Sequence, residues 1–307
     1  AFATCQCDCG GTVDVRVPDL NNGKTVTCGC GATVSTGEAD LVEFLRSVTA
    51  VDPQFKVNGW SYDALLPEHK ILVEFNGTYW HSYPRKRRGA HLVKRRNAED
   101  HGYRMITIWE DEWKKQRPRM EDLIRRAVSG PETKIAGRNT AVVEVSAADA
   151  KAFHEEHHVQ GFLISRANLH YGLAARGAGL VAVASFDATG VLHRYTVAPG
   201  MTVHGGLSKV IAAYRRDFPV ERVVTYCDRD LFTGQLYKAA GFERTDTSLT
   251  MSYVERGRRV RRERYMKHKL PHVFDGVDLS RKEVDICAEH GVFACWNSGT
   301  EKYELAL

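Results

Sequence analysis

The residues best suited to chemistry are the acids and imidazoles between Ser61 and His81, in the run Ser-Tyr-Asp-Ala-Leu-Leu-Pro-Glu-His-Lys-Ile-Leu-Val-Glu-Phe-Asn-Gly-Thr-Tyr-Trp-His. Glu74 stands between Val73 and Phe75 in an apolar segment. A carboxylate inside a buried strand is costly unless it is paired or bound to a metal. Asp63 is expected at the end of the preceding strand, so the two carboxylates can converge on one face and hold Mg²⁺ or Mn²⁺. Such an ion polarises a scissile phosphate and activates a water. His81 follows Tyr79 and Trp80 on an expected loop, where an imidazole can act as general acid or base or orient the water. His91 and Lys94 lie one helical turn apart and can face the same phosphate. Glu43, on an earlier helix, is a further candidate for the metal shell. Each of these residues taken singly is equally consistent with a hydrogen-bonded structural role.

The elements that must position them follow from periodicity. Leu41, Phe44, Leu45 and Val48 share one helical face. Strands are expected around Trp60–Leu65, over Ile71–Phe75 and over Tyr103–Trp109, with helices over Ala90–Asp100 and Glu110–Val128. The order is helix, strand, strand, helix, strand, helix. Asp111 and Glu112 fall at a helix N-terminus, where acids complement the helix dipole.

Five of the eight cysteines, Cys5, Cys7, Cys9, Cys28 and Cys30, lie in the first thirty residues. Cys7-Asp-Cys9-Gly10 and Cys28-Gly-Cys30 form two knuckles around a hairpin-like insert, Thr12–Thr27. Four thiolates so arranged suit a structural, tetrahedral Zn²⁺, with Cys5 able to replace one ligand. The alternative is a set of reduced surface thiols. In the last part of the chain, Cys287 and Cys295 are expected to be buried free thiols rather than a metal pair with His290.

Residues 141–254 carry a second pattern. Tyr171-Gly-Leu and Leu180–Phe186 suggest paired strands, and Val223–Arg229 a strand ending in polar residues. Gly205, Gly206 and Ser208 open an amphipathic helix whose free N–H groups suit a phosphate. Leu236–Phe242 reads as a helix capped by Gly241. Asp228 and Tyr237 are candidates to line a site with these residues; the alternative is a structural or DNA-docking domain without chemistry.

Net charge is +5, but its distribution matters more. Arg85, Lys86, Arg87, Arg88, Lys94, Arg95 and Arg96 form one basic block. A second runs through Arg256, Arg258, Arg259, Arg261, Arg262, Arg264, Lys267 and Lys269. Two such blocks favour a nucleic-acid partner over an evenly solvated surface. No apolar run approaches the ~20 residues of a membrane span, and no signal peptide opens the sequence. The expectation is a soluble, cytoplasmic protein (host cell cytoplasm if phage-encoded) without a membrane partner.

Val73–His81, His91-Leu-Val-Lys94 and Ile108-Trp-Glu-Asp-Glu-Trp113 together resemble the nuclease core of phage homing endonucleases. That core is related to the very-short-patch repair (Vsr-like) endonucleases and, more distantly, to the PD-(D/E)xK fold. The resemblance implies a phosphodiesterase that uses a divalent metal. By position, Glu43, Asp63 and His81 match the acidic and histidine positions of the EDxHD pattern. Its last Asp has no clear counterpart, with His91 nearest, and Asn76 occupies the position of the PD-(D/E)xK lysine. The N-terminal cysteines resemble the small modules that precede such nuclease domains. The second region resembles the GNAT acyltransferase fold, more narrowly the Mom-like GNAT domains of phage proteins, chiefly through Leu236-Tyr237-Lys-Ala-Ala-Gly241-Phe242. The pyrophosphate loop of that superfamily is unmatched, which weakens the case for acetyl-CoA.

The expected chain is a multi-domain α/β protein. A small zinc-ribbon-like module spans 1–36, a restriction-endonuclease-like (Vsr-like) α/β core 37–130 and a linker 131–140. A GNAT-like α/β domain ending in the basic segment spans 141–270, with a tail over 271–307. The expected function is a homing-type, metal-dependent endonuclease acting on double-stranded DNA, with a homodimer as an option for cutting both strands. The alternative is a DNA base-modifying transferase in which the nuclease-like core only binds DNA.

Overall fold

The computed structural model describes residues 1–6, 12–23, 25, 35–162 and 167–306. It is a mixed α/β protein with several sheets. At the N-terminus, β1 (Phe2–Gln6) pairs antiparallel with β2 (Thr12–Arg16), followed by the short helix α1 (Val17–Asn21). Cys5 lies half-buried in β1. Cys7, Cys9, Cys28 and Cys30 lie outside the described residues, so the zinc module stays an expectation.

The next unit runs α2 (Thr36–Val48), β3 (Asp52–Val57), β4 (Trp60–Leu66), β5 (Ile71–Asn76), α3 (Ala90–Asp100), β6 (Arg104–Trp109) and α4 (Glu110–Ser129). The expected order holds with one addition, β3, whose mostly exposed Asp-Pro-Gln-Phe-Lys-Val has no apolar alternation to announce it. The sheet order is β3-β4-β5-β6; β4 and β5 are antiparallel, and β5 and β6 parallel across α3. All six side chains of β5 are buried because helices cover both faces. Ile71, Val73 and Phe75 pack with Leu41, Leu45, Met120 and Ile124 of α2 and α4. Leu72 joins Ala98 of α3 on the other face. Side chains alternate along a strand, so Glu74 and Asn76 fall on the α3 face with Leu72. Tyr62 Oη donates to the Lys94 carbonyl (2.9 Å) and accepts from Asn97 Nδ2 (2.9 Å), which anchors α3 over β4. Helix α4 breaks at Gln116 ahead of Pro118, whose ring clashes with the preceding turn.

The remaining strands are β7 (Thr133–Ala136), β8 (Thr140–Glu144), β9 (Leu169–Ala175), β10 (Gly179–Phe186), β11 (Val191–Val197), β12 (Met201–His204), β13 (Arg222–Asp228), β14 (Glu243–Ser248), β15 (Met251–Glu255), β16 (Arg258–Arg261), β17 (Phe293–Trp296) and β18 (Thr300–Ala306). The helices among them are α5 (Ala147–His157), α6 (Gly206–Asp217), α7 (Gln235–Ala239) and α8 (Glu283–Glu289). One seven-stranded sheet runs β14-β18-β13-β11-β10-β9-β8. Parallel β11 and β13 pair only at Val191–Val224 and Leu192–Thr225, so their C-terminal halves part.

Two expected boundaries shift. The stretch read as a linker is ordered, with β7 pairing parallel to β12 and β8 forming an edge of the large sheet. The stretch read as a tail ends in β18, which pairs with both β13 and β14 inside that sheet. A strand donated from far along the chain leaves no local signature. Cys287 and Cys295 are buried and free, and His290 stacks on Phe274 instead of joining them.

The two units meet at Asp230. Its carbonyl accepts from Thr107 N (2.7 Å) on the exposed edge of β6. Its carboxylate accepts from the Trp109 indole (2.9 Å) and from Ser298 N (2.8 Å). Arg95, read as part of a basic surface block, is instead buried here, donating to Ser298 Oγ (2.8 Å) and the Asp230 carbonyl (3.2 Å).

Candidate functional site

Asp63 lies inside β4 rather than at its end. Pairing between β4 and β5 begins at Ala64–Val73. Beyond it the Asp63 carboxylate takes the place of the ladder, accepting the Phe75 N–H at 2.6 Å. This leaves Asp63 beside Glu74. Lys94 reaches down from α3 to form an ion pair with Glu74 Oε1. The other Glu74 oxygen, Oε2, is buried with no hydrogen-bond partner.

The electrostatics reflect this crowding. Burial, with the Asp63 charge second, pushes Glu74 up to about 7, opposed by Lys94. Burial also raises Asp63, opposed by the Phe75 N–H and by the charges of Lys94 and Lys86. Two buried carboxylates side by side favour a shared proton or a cation between them.

The acid that α2 brings to Asp63 is Glu38. Burial raises its pKa and the Asp63 charge raises it further. Glu43 is displaced from this role: it is exposed, and its position on the helix turns it to a different face from Glu38. Glu38 looks in the sequence like the last residue of a capping box, Ser35-x-x-Glu38, and its N–H does bond to Ser35 Oγ (3.1 Å). The missed clue is Gly37. A Cβ there would stand 2.5 Å from the Phe75 ring, so glycine lets the first turn of α2 settle on β5.

His81 and His91 form a second cluster. Their rings stack at 5.1 Å, and both lie edge-on to Trp109, at 6.3 and 5.5 Å. Asn76 Nδ2 stands 3.5 Å from His91 Nδ1. Burial is the main cause holding His81 down to about 2 and His91 to about 4, so both rings are neutral at neutral pH. His81 Nδ1, His91 Nε2 and Asn76 Oδ1 are buried without partners. Lys86 acts on Asp63, Glu74, His81 and His91 alike, singling it out from its basic block. Exposed Tyr79 and Trp80 flank this loop, with Arg85 stacked on Tyr79 at 3.6 Å.

Among the described residues no three His, Cys, Asp or Glu side chains converge into a metal-holding group. The carboxylate pair is the remaining donor set, and it suits Mg²⁺, which is commonly bound through one or two carboxylates and keeps several waters.

The second set of sequence candidates does not assemble into one site. Gly205 is the left-handed N-cap of α6 (φ 72°). Gly206 is required by packing, since a Cβ would lie 2.6 Å from Tyr195 Oη. Ser208 is exposed on the first turn. None of the three lines either of two cavities nearby. Tyr237 lines a cavity of about 190 Å³ between the parted halves of β11 and β13, with Arg194, Tyr195 and Cys227. Asp228 lines a larger one of about 840 Å³ between α4, β16 and the end of β13. Burial and the nearby Asp230 push Asp228 up to about 7.

No family model matches the chain, nor does any curated protein. Among solved structures, the catalytic domain of the homing endonuclease I-Bth0305I aligns with 30% of this chain and 93% of its own length, at 26% identity and a TM-score of 0.27. A structure named for phosphinothricin N-acetyltransferase aligns with 55% of this chain and 98% of its own length, at 9% identity and a TM-score of 0.32. Both superpositions are too loose to carry an argument. Among the described residues no helix is long and apolar enough to cross a membrane.

Proposed function

We propose that the β3–β6 unit is the core of a metal-dependent endonuclease that hydrolyses phosphodiester bonds in double-stranded DNA. One observation carries the reading: Asp63 and Glu74 lie together on neighbouring strands beside Lys94, and a buried oxygen of Glu74 has no partner. Asp63 and Glu74 are the residues to hold Mg²⁺ or Mn²⁺, with Glu38 behind Asp63. The ion, when bound, polarises the phosphate and lowers the pKa of a water. Lys94, freed from Glu74, and Lys86 hold phosphate oxygens by charge. His81 is neutral and held too low to take up a proton readily, so its role is to orient the attacking water as a hydrogen-bond acceptor, and His91 and Trp109 hold its ring in place. Cutting both strands with one such site per chain calls for two copies on the DNA. Cys7, Cys9, Cys28 and Cys30 are proposed to hold structural Zn²⁺, which metal analysis of the purified chain tests.

The test is cleavage of long duplex DNA in Mg²⁺ or Mn²⁺, comparing the native chain with Asp63→Asn, Glu74→Gln and His81→Ala. Loss of cleavage by about 10²–10⁴-fold in each variant supports the reading. Undiminished cutting by Asp63→Asn overturns it. A second reading, a DNA base-modifying transferase, draws on the cavity where β11 and β13 part, and acetyl-CoA would be its donor. It requires Tyr237→Phe or Asp228→Ala, and not Asp63→Asn, to remove a modified nucleoside detected by mass spectrometry.

A further inference from the structure

The cavity of about 840 Å³ between the two units is layered in charge. Arg256, Arg258 and Arg261 and Lys115 line it without a carboxylate partner among the described residues. Other arginines of the same basic segment are committed: Arg259 to Asp111 and Glu112, Arg262 to Glu283, Arg264 to Glu255. Four cations without a carboxylate partner among the described residues thus face one opening.

Arg194 lies deeper. It is mostly buried, yet among the described residues its hydrogen bonds go only to the carbonyls of Gly161 (3.4 Å) and His193 (3.2 Å). No carboxylate reaches ion-pair distance among the described residues. Burial lowers its pKa, and Arg261 pushes the same way against Tyr237 and Asp228. A guanidinium kept in a pocket without a counter-ion is strongly unfavourable by itself, and an incoming anion offsets that cost.

The cleft also holds acceptors. Asp228 accepts from Gln160 Nε2 (2.7 Å) and from Asp230 N (3.0 Å), which leaves lone pairs on both oxygens. Glu112 Oε2, which lines the same cleft, is buried without a partner. We propose that this cleft binds one nucleotide, its phosphate on Arg194 and Arg261 and the edge of its base on Asp228. The size suits such a ligand, since small-molecule sites span roughly 300–1,000 Å³. Asp228, raised to about 7, offers both a carboxylate and a carboxylic acid near neutral pH. A carboxylic acid donates through O–H and accepts through C=O, and with its proton on either oxygen it complements the adjacent donor and acceptor on the edge of any of the four bases. The nucleotide comes either free from solution or extruded from a duplex, at a cost of a few kcal/mol for unstacking.

Calorimetry with the full chain without added Mg²⁺ or Mn²⁺, where no cleavage occurs, tests this apart from the nuclease reading. The probes are dAMP, dCMP, dGMP, TMP and inorganic phosphate. A duplex carrying one 2-aminopurine, whose fluorescence rises on unstacking, separates the two sources. A preference of about tenfold or more for the nucleotides over inorganic phosphate is expected from one two-point base contact. Arg261→Ala, an exposed change that keeps the fold, weakens every nucleotide, and Arg194→Gln weakens them further. Asp228→Asn, which keeps one donor and one acceptor, retains the preference, and Asp228→Ala abolishes it. A fluorescence rise assigns the cleft to an extruded nucleotide; binding of free nucleotide alone assigns it to solution. Absence of both, binding of inorganic phosphate as tight as that of the nucleotides, or binding untouched by Arg261→Ala overturns the proposal.

Discussion

Two buried clusters of polar side chains, one in the four-stranded unit and one in the seven-stranded unit, differ in how completely they are satisfied. In the seven-stranded unit, His154 is fully buried, with Nδ1 2.7 Å from Thr196 Oγ1 and Nε2 2.7 Å from Ser185 Oγ. The same hydroxyl serves His170 Nδ1 at 2.8 Å. In the four-stranded unit, Glu74 Oε2, Asn76 Oδ1, His81 Nδ1 and His91 Nε2 are all buried and unpartnered. Buried polar groups are nearly always paired, so a closed network is architecture and an open one awaits a ligand. Histidines in strands and helices are therefore poor markers of function. Their unmet hydrogen bonds are better ones.

Substitutions can break this contrast. The largest effect is expected from Glu74→Gln, which keeps shape but not charge. Cleavage falls by about 10³-fold or more, while the unfolding midpoint stays close to that of the native chain. The converse is Ser185→Ala, which strips two imidazole nitrogens of their partner and opens the closed network. It is expected to cost about 2–4 kcal/mol in a denaturant titration, with cleavage below the melting range unchanged. If Ser185→Ala proves neutral, the closed network is not what stabilises the large sheet.

Acid sharpens the same comparison by a smaller effect. His91 and His154 both titrate near 4 when folded, below the usual histidine value of 6.5, chiefly through burial. Stability from their neutral forms is present above 6.5 and is lost as pH falls through 4. Glu74 runs the other way. Its folded value near 7 lies above the ordinary 4.5, so its contribution is full below 4.5 and is lost as pH rises through 7. Between pH 6.5 and 4 Glu74 offsets only part of the loss that His81 and His91 bring to the metal-free four-stranded unit, while the groups in contact with His154, Thr196 and Ser185, do not titrate. Hydrogen exchange should therefore show both β9–β11 and β4–β6 losing protection over this range, and Glu74→Gln, which removes the offset, moving the loss in β4–β6 to higher pH. A Glu74→Gln chain whose β4–β6 loses protection at the native pH breaks the comparison.

Much of the four-stranded unit was legible because its signals are local. Ala90–Asp100 and Ile71–Phe75 announce themselves by helical composition and by a continuous apolar run, and both occur where expected. The pairing of Asp63 with Glu74 follows from strands that are neighbours in sequence. Glu38 was hidden because a capping box explains its presence without chemistry. Lys94 was read as a phosphate ligand, but its partnership with Glu74 depends on the packing of α3 against the sheet.

The sequence by itself determined which residue types had to be buried and which short segments had to be helix or strand, since periodicity and capping act over a few residues. Only the tertiary structure decided which acid of α2 meets Asp63, that β18 closes the sheet with the last residues of the chain, and that Asp230 joins the two units at Trp109. These are contacts between residues far apart along the chain. They depend on the relative placement of whole sheets and helices, which a reading of neighbouring residues does not contain.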